Sequence, residues 1–466
     1  MNQPNIVFFF TDDQRFDTIR SLNNPEIYTP NLDQIVSQGT TFVNSYIMGG
    51  SCGAVCMPSR GMLHTGRTLY HLDRQGQSIP EEHALLGETL QKAGYTSFGT
   101  GKWHNGIRSY ARSFNAGAEI FFGGMTDHWN VPACDYDPTG NYSINPKIDN
   151  PQSSNQVSWR RCDHITAGKH STDLFADATI NFIENHSDEN PFFAYVSFMA
   201  PHDPRSMPED FLRMYDQQKI EIPANFAPEH PFDNGWLKGR DELLAEFPRT
   251  ESEVRRHIAE YYGMISHLDA AIGRVMNKLR EREILDNTII LFAGDNGLAV
   301  GQHGLMGKQN IYDHSVHVPF ILAGPNVPAD EKREALIYLI DIFPTLCDLI
   351  GIQHPTTIEG QSLIPHLERP AEKIREYLHF AYEGLQRGIR DQRYKLIEYV
   401  VNDRHAQTQL FDLLNDPRET VNLINEGKCA GVLKRLRNEL KRWQTEYGDI
   451  QEQGQAFWTA YRSQSK

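Results

Sequence analysis

The chain has 466 residues, 39% of them hydrophobic and 23% charged, with a formal net charge of −15. These are globular values, and the length suits one large domain with an appendage, or two or three smaller ones. The acidic balance argues against nucleic acid as a partner, because phosphate binding needs a basic face, and no apolar run reaches the roughly 18 residues that would span a membrane. The cysteines at 52, 56, 134, 162, 347 and 429 are too few and too scattered for a disulfide framework.

In chain order, the apolar run Ile6 to Thr11 reads as a buried strand that ends in Asp12-Asp13. It begins so near Met1 that no secretion leader fits ahead of it. The expectation is a cytoplasmic protein if Met1 is the native start, and a periplasmic or secreted one if a leader was trimmed. Cys56-Met57-Pro58-Ser59-Arg60 follows, with Thr65-Gly66-Arg67 behind it. Proline has no N–H to lose and tolerates a first helical turn, so residue 56 is expected at a helix N-terminus, which favours anions.

A helix over Leu85 to Ala93 stops at Gly94, and a strand over Thr96 to Gly99 runs into Gly101-Lys102-Trp103-His104. From about 105 to 170 the regular pattern fails, and the stretch reads as an irregular insertion that shapes the substrate pocket. Then come a helix over Thr172 to Asn185, a strand over Phe192 to Phe198 leading to Pro201-His202-Asp203, and a long helix over Glu253 to Arg282. A strand over Thr288 to Ala293 leads to Asp295-Asn296, followed by a strand over Val318 to Ala323 and a helix over Ile340 to Ile350. Near Pro370 the pattern changes to Leu378-His379-Phe380, Arg393 to Ile397 and Gln409 to Leu413, with a helix over Val432 to Tyr447. Residues 1–375 therefore read as the main domain and 376–466 as a small subdomain with an antiparallel sheet.

Strands alternating with helices imply an α/β fold with a large, mostly parallel mixed sheet flanked by helices. In such sheets the ligand crevice lies beyond the carboxyl ends of the strands, where four polar clusters fall here. Asp12, Asp13, Asp295 and Asn296 offer hard oxygen ligands, which suits Ca²⁺, with Mg²⁺ as the other choice. Lys102 and His104 are two apart in an extended segment, so both face one side of the chain. The insertion is basic, carrying Arg108, Arg112, Arg160, Arg161, His164, Lys169 and His170, a pattern that fits extra anionic groups on a sugar chain. Trp103, Trp129 and Trp159 are candidates for stacking on sugar faces or for core packing.

The run C-x-P-S-R-x-x-x-x-T-G-R at Cys56 resembles the signature of the type I sulfatases, within the alkaline phosphatase superfamily. Gly101-Lys102-Trp103-His104, Ala200-Pro201-His202 and His303 to Lys308 are similar to further boxes of that family, as is Asp295-Asn296 through Pro319. The C-terminal Arg393-Tyr394-Lys395-Leu396, Asp412 and Asp416-Pro417-Arg418-Glu419 resemble its small subdomain. The resemblance implies an alkaline-phosphatase-like fold and maturation of Cys56 to formylglycine by a separate enzyme, the hydrated aldehyde then attacking sulfur. It implies a cation held by Asp12, Asp13, Asp295 and Asn296, with residue 56 completing the shell. It places Lys102 and Lys308 on sulfate oxygens, Arg60 beside the modified side chain, His104 as base and His202 as acid. His303 joins Lys102, His202, Lys308, Arg108, Arg112, Arg160 and Arg161 as a substrate-binding candidate.

The expected substrate is a sulfated poly- or oligosaccharide. Alternatives are a phosphonate monoester or phosphodiester hydrolase of the same superfamily, and a non-catalytic glycan-binding protein on this fold. Two departures from the family pattern are His317, where arginine is common, and Asn105, where leucine is common. The oligomeric state is left open.

Overall fold

One run of sequence near the N-terminus feeds two cores. In the computed structural model, which describes residues 3–148, 155–187, 189–371 and 373–463, Asn5–Thr11 is a strand whose Ile6, Phe8 and Phe10 join one apolar cluster while Val7 and Phe9 join another. Successive side chains of a strand point to opposite faces, so a strand covered on both sides reads as an unbroken apolar run.

Eight strands form the main sheet, in the order Glu331–Arg333, Gly39–Phe42, Phe320–Ala323, Thr288–Gly294, Asn5–Thr11, Phe192–Ser197, Thr96–Trp103 and Ala116–Phe122. The five strands from Thr288–Gly294 to Ala116–Phe122 run parallel, and Phe320–Ala323 is antiparallel to both of its neighbours. One face is covered by helices Pro30–Gln38, Ser171–Asn185 and Glu251–Glu281, through residues such as Leu32, Phe175 and Leu268. The other is covered by Cys56–Thr65, Leu86–Lys92 and Ile342–Leu349, through Met62, Leu90 and Phe343. Each such side chain, fully buried, contributes about 1.5–3 kcal/mol of hydrophobic stabilisation.

Three sequence expectations change. The strand expected from Val318 begins at Phe320, after Pro319, which has no N–H to give the ladder. The strand expected to stop at Gly99 continues to Trp103 past a bulge between Thr100 and Gly101. The stretch after 105 is not wholly irregular: it holds helix Ile107–Ser113, the edge strand Ala116–Phe122, and a hairpin of Ile144–Ile148 with Val157–Arg161. The edge strand hides in the sequence because its first half, Ala116-Gly117-Ala118-Glu119, lacks large apolar residues.

The C-terminal sheet has five strands in the order Arg404–Asp412, Tyr394–Val401, Gln386–Arg390, Leu378–Tyr382 and Gly49–Gly50. Its first four are antiparallel, and the fifth, from the segment just ahead of Cys56, pairs parallel with Leu378–Tyr382. Helices Ala430–Glu446 and Glu452–Ser463 close one face with Leu436, Leu440, Phe457 and Trp458. The buried Lys395 ties this sheet to the main domain, donating to Asp313 at 2.6 Å while pairing with Glu419 at 2.7 Å. No helix among the described residues is long and apolar enough to cross a membrane.

Candidate active site

Parallel pairing in register aligns the ends of neighbouring strands. Thr11 pairs with Gly294, so the next residues, Asp12-Asp13 and Asp295-Asn296, emerge side by side. The Asp295 N–H donates to the Thr11 carbonyl at 3.0 Å, and the Asp13 N–H to Asp295 Oδ1 at 3.0 Å. Asp13 has φ of 66°, a left-handed conformation that aspartate tolerates better than most residues.

Cys56 is the first residue of helix Cys56–Thr65, and Arg60, four residues on, lies on the same face. Arg60 Nε donates to Asp295 Oδ2 at 2.9 Å, and its Nη1 donates to Ser197 Oγ at 2.6 Å and to the Lys102 carbonyl at 3.3 Å. Ser59 Oγ donates to the Asp295 carbonyl at 2.5 Å. Cys56 Sγ thereby stands 3.3 Å from Lys102 Nζ and 3.5 Å from His104 Nδ1. Directly after Gly101, whose φ is +83°, Lys102 Nζ donates to Asp12 Oδ2 at 2.5 Å. On the other side, Lys308 Nζ and Asn296 Nδ2 both donate to Asp13 Oδ1 at 2.6 Å. His202 Nε2 lies 3.6 Å from Asp13 Oδ2, and its Nδ1 donates to the Asp203 carbonyl at 2.7 Å.

All of these groups are buried, His104 being only partly so. Burial works against the charge on Asp12, but Lys102, His202, Arg60 and Lys308 override it and hold the carboxyl far below the usual range. Burial, reinforced by the Asp12 charge, pushes Asp295 up despite Arg60 and Lys102. Both lysines keep their protons: burial disfavours them, yet Asp12 raises Lys102 and Asp13 raises Lys308. Burial also raises the Cys56 thiol and, with Lys102 and Arg60 beside it, keeps His104 neutral.

The cluster fits a divalent cation. Asp12 Oδ1 and Asn296 Oδ1 are buried acceptors without a hydrogen-bond partner among the described residues. Unmatched buried oxygens are costly unless something positive meets them. Ligand atoms of Asp12, Cys56 and Asp295, and of Asp12, Asp13 and His202, lie within 4.8 Å of one another in each group. Three carboxylates with an amide oxygen form a hard-oxygen set of the type that holds Ca²⁺ or Mg²⁺.

Other predicted residues lie elsewhere. His303 is not in the cluster: its ring stacks on Tyr312 at 4.1 Å and its Nε2 meets Asn225 at 3.2 Å, so aromatic packing claims it. Arg112 is also corrected, because its guanidinium is taken up by the carbonyls of Pro80 and His83 and by Glu88. Arg108 is exposed on helix Ile107–Ser113 and does not line the cavity beside His104, whereas Arg160 and Arg161 do. His317 is sandwiched between Phe16 and Tyr46, at 4.2 and 4.6 Å. Asn105 donates to the carbonyls of Met57 and Gly76, at 3.0 and 2.6 Å, pinning the first turn of the Cys56 helix.

Sequence reasoning gave no role to Ser59 and Ser197 and missed Arg240 and Asp241 at the rim, while Asp203 was placed at a strand end without a role. Arg240, half exposed, pairs with Asp203 and Asp241 and so stands beside His202. Ser197 was findable, since it is a serine near the end of the otherwise apolar run Phe192 to Phe198. Arg240 and Asp241 sit at the start of the short 3-10 helix Asp241–Leu244, too brief to give a local signal.

A mostly parallel α/β sheet with a buried, cation-ready cluster at its carboxyl edge defines a hydrolase of the alkaline phosphatase superfamily. The chain belongs to the sulfatase family, which residues 4–352 match, while residues 301–446 match the C-terminal region of N-sulphoglucosamine sulphohydrolase. It is a sulfuric ester hydrolase of a family that uses formylglycine and a divalent metal. It is 27% identical to an N-acetylglucosamine-6-O-sulfatase of Bacteroides thetaiotaomicron, over 96% of this chain and 87% of that protein. A solved enzyme in complex with its substrate D-glucosamine-2-N,6-O-disulfate superposes with a TM-score of 0.75 at 24% identity, covering 97% of this chain and 99% of that one. The phosphonate monoester hydrolase of Agrobacterium radiobacter shares the fold, with a TM-score of 0.73 at 22% identity and 96% of both chains covered.

Proposed function

We propose that this enzyme removes sulfate from a sulfated carbohydrate, with residue 56 matured to formylglycine by a separate enzyme and Ca²⁺ as the cation. The observation that carries the reading is the position of Cys56 Sγ, on a helix N-terminus within 3.3 Å of Lys102 Nζ and 3.5 Å of His104 Nδ1, beside a buried set of cation ligands. The N-acetylglucosamine-6-O-sulfatase and the enzyme solved with D-glucosamine-2-N,6-O-disulfate support the substrate class.

When bound, the cation neutralises sulfate oxygens and the hydrated aldehyde supplies the nucleophile. Asp12, Asp13, Asp295 and Asn296 would hold that cation, and Arg60 fixes Asp295 against the helix that carries residue 56. Lys102 and Lys308, both kept protonated, present ammonium groups to the nonbridging oxygens, where developing charge is best stabilised by preorganised donors. His104, kept neutral, accepts a proton at Nδ1 from the side chain at 56. With Nδ1 of His202 donating to the Asp203 carbonyl, Nε2 is the atom that gives a proton to the leaving sugar oxygen.

The test is free sulfate release from sulfated saccharides by protein made beside a formylglycine-generating enzyme, with mass spectrometry of the peptide holding residue 56. Cys56→Ala should abolish release while costing about 1 kcal/mol of stability or less. Activity in Cys56→Ala would overturn the assignment, and elemental analysis showing bound magnesium in place of calcium would overturn the choice of cation. The shared fold of the phosphonate monoester hydrolase motivates one control, nitrophenyl phenylphosphonate against nitrophenyl sulfate. Faster turnover of the phosphonate would move the enzyme to that activity.

A further inference from the structure

A cavity of about 640 Å³ opens beside His104, within the roughly 300–1,000 Å³ of small-ligand pockets. Its outer wall is the hairpin of Ile144–Ile148 and Val157–Arg161, which contributes Ile144, Trp159, Arg160 and Arg161. Building on the reading of a carbohydrate sulfatase, we propose that this cavity is a subsite for a second, anionic sugar unit of the substrate, stacked on Trp159 and held through its carboxylate or sulfate by Arg160 and Arg161.

Three observations carry the assignment. The first is continuity: His104 lines the cavity and also meets Cys56 Sγ at 3.5 Å, so a saccharide whose sulfate reaches residue 56 passes this wall. The second is the indole. Trp159 is 68% exposed, and Ile144 and Met125, which line the same cavity, are 50% and 39% exposed, so the wall presents a patch of open apolar surface of the kind that marks a ligand-binding groove. Trp103 cannot serve, being buried with its Nε1 donating to the Gly106 carbonyl at 2.7 Å, and Trp129 packs edge-on against His170. The third is charge. The protein carries −15 overall, yet among the described residues that line the cavity there are two arginines and no carboxylate. Arg161 is anchored, with Nη1 donating to the Tyr142 carbonyl at 2.5 Å, which fixes a guanidinium in the wall. A planar guanidinium suits carboxylate and sulfate oxygens alike.

Binding is measured in the inactive Cys56→Ala protein by calorimetry and tryptophan emission. The probes are a monosulfated monosaccharide, a sulfated tetrasaccharide containing uronates, and a uronate-free tetrasaccharide with more than one sulfate. At least one tetrasaccharide should bind about tenfold tighter than the monosaccharide, as one stacked ring and one charge pair would give. Which one does so tells whether carboxylate or sulfate is read. Trp159→Ala should remove that advantage and the emission change, Trp159→Phe should keep part of it, and Arg160→Gln with Arg161→Gln should flatten its salt dependence. Equal affinity for all three probes, or an advantage indifferent to these substitutions, overturns the subsite. Matured wild-type enzyme that frees no sulfate from any of the saccharides overturns instead the carbohydrate reading on which the subsite rests.

Discussion

Arg60 shows how much one side chain can hold at a buried site. It is 1% exposed, and its guanidinium joins Asp295 of one strand end, Ser197 of a second and the Lys102 carbonyl of a third. Arg60→Ala would strand the Asp295 carboxyl without its cation in the core, a loss of about 3–5 kcal/mol for a broken buried pair. Arg60→Lys keeps a charge but not the fork geometry, so it should recover only part of the loss. Urea unfolding of the three proteins checks this, and an Arg60→Ala protein within about 1 kcal/mol of wild type would show that the pair is not what holds the strand ends together.

At the scale of elements, Gly101 is where the edge of the sheet turns into the site. Its φ is +83°, and a Cβ added there would overlap the Ser197 carbonyl oxygen on the adjacent strand. Gly101→Ala therefore combines left-handed strain with the parting of strands Thr96–Trp103 and Phe192–Ser197, roughly 2–4 kcal/mol in all. It should also cut kcat/KM for sulfate release severely, because Lys102 and the carbonyl it shares with Arg60 follow directly on Gly101. Gly94, with φ of +93° and nothing within 4 Å of an added Cβ, is the control. Gly94→Ala should cost about 1 kcal/mol and leave turnover intact. Equal turnover in the two variants would mean that the left-handed backbone at Gly101 does not position Lys102.

The same elements show what a reader of sequence can and cannot see. Asp12, His202 and Asp295 were legible because the parallel strands ahead of them are largely apolar runs, and such a strand's end is where its polar residues begin, whereas Lys102, within the polar strand Thr96–Trp103, was legible from the Gly101-Lys102-Trp103-His104 box. Arg240 and Asp241 were not, because they reach the rim at the start of a single short turn, Asp241–Leu244, and their only signal is the three-dimensional pairing of Arg240 with Asp203 and Asp241. His303 misled for the opposite reason: it lies five residues from Lys308, yet a left-handed turn at φ of 53° directs it into the aromatic packing of Tyr312. Gly49–Gly50 is too short and too poor in side chains to announce that it joins a sheet more than three hundred residues away.

For the molecule as a whole, the buried histidines set the response to acid. His64, His170, His257 and His379 are held down to about 3 and His128 and His230 to about 4, with burial the largest cause in each. All six are buried in the folded state. The unfolded chain takes up a proton on each below its ordinary value near 6.5, and the folded chain does not, so the unfolded state binds more protons and stability falls as pH falls. The contribution is complete above about pH 7.5 and shrinks by about 1.4 kcal/mol per histidine for each pH unit below 6.5, until the folded pKa is reached. Asp269, Asp295 and Glu419, whose carboxyls are raised by burial, act in the opposite sense over part of that window but are outnumbered. Against a total of about 5–15 kcal/mol for a typical domain, six imidazoles are enough to unfold the protein in mild acid. The urea midpoint should therefore be flat between pH 7.5 and 8.5 and drop steeply from 6.5 to 5, and a midpoint that holds or rises across that interval would show that these histidines are reached by solvent protons in the folded state.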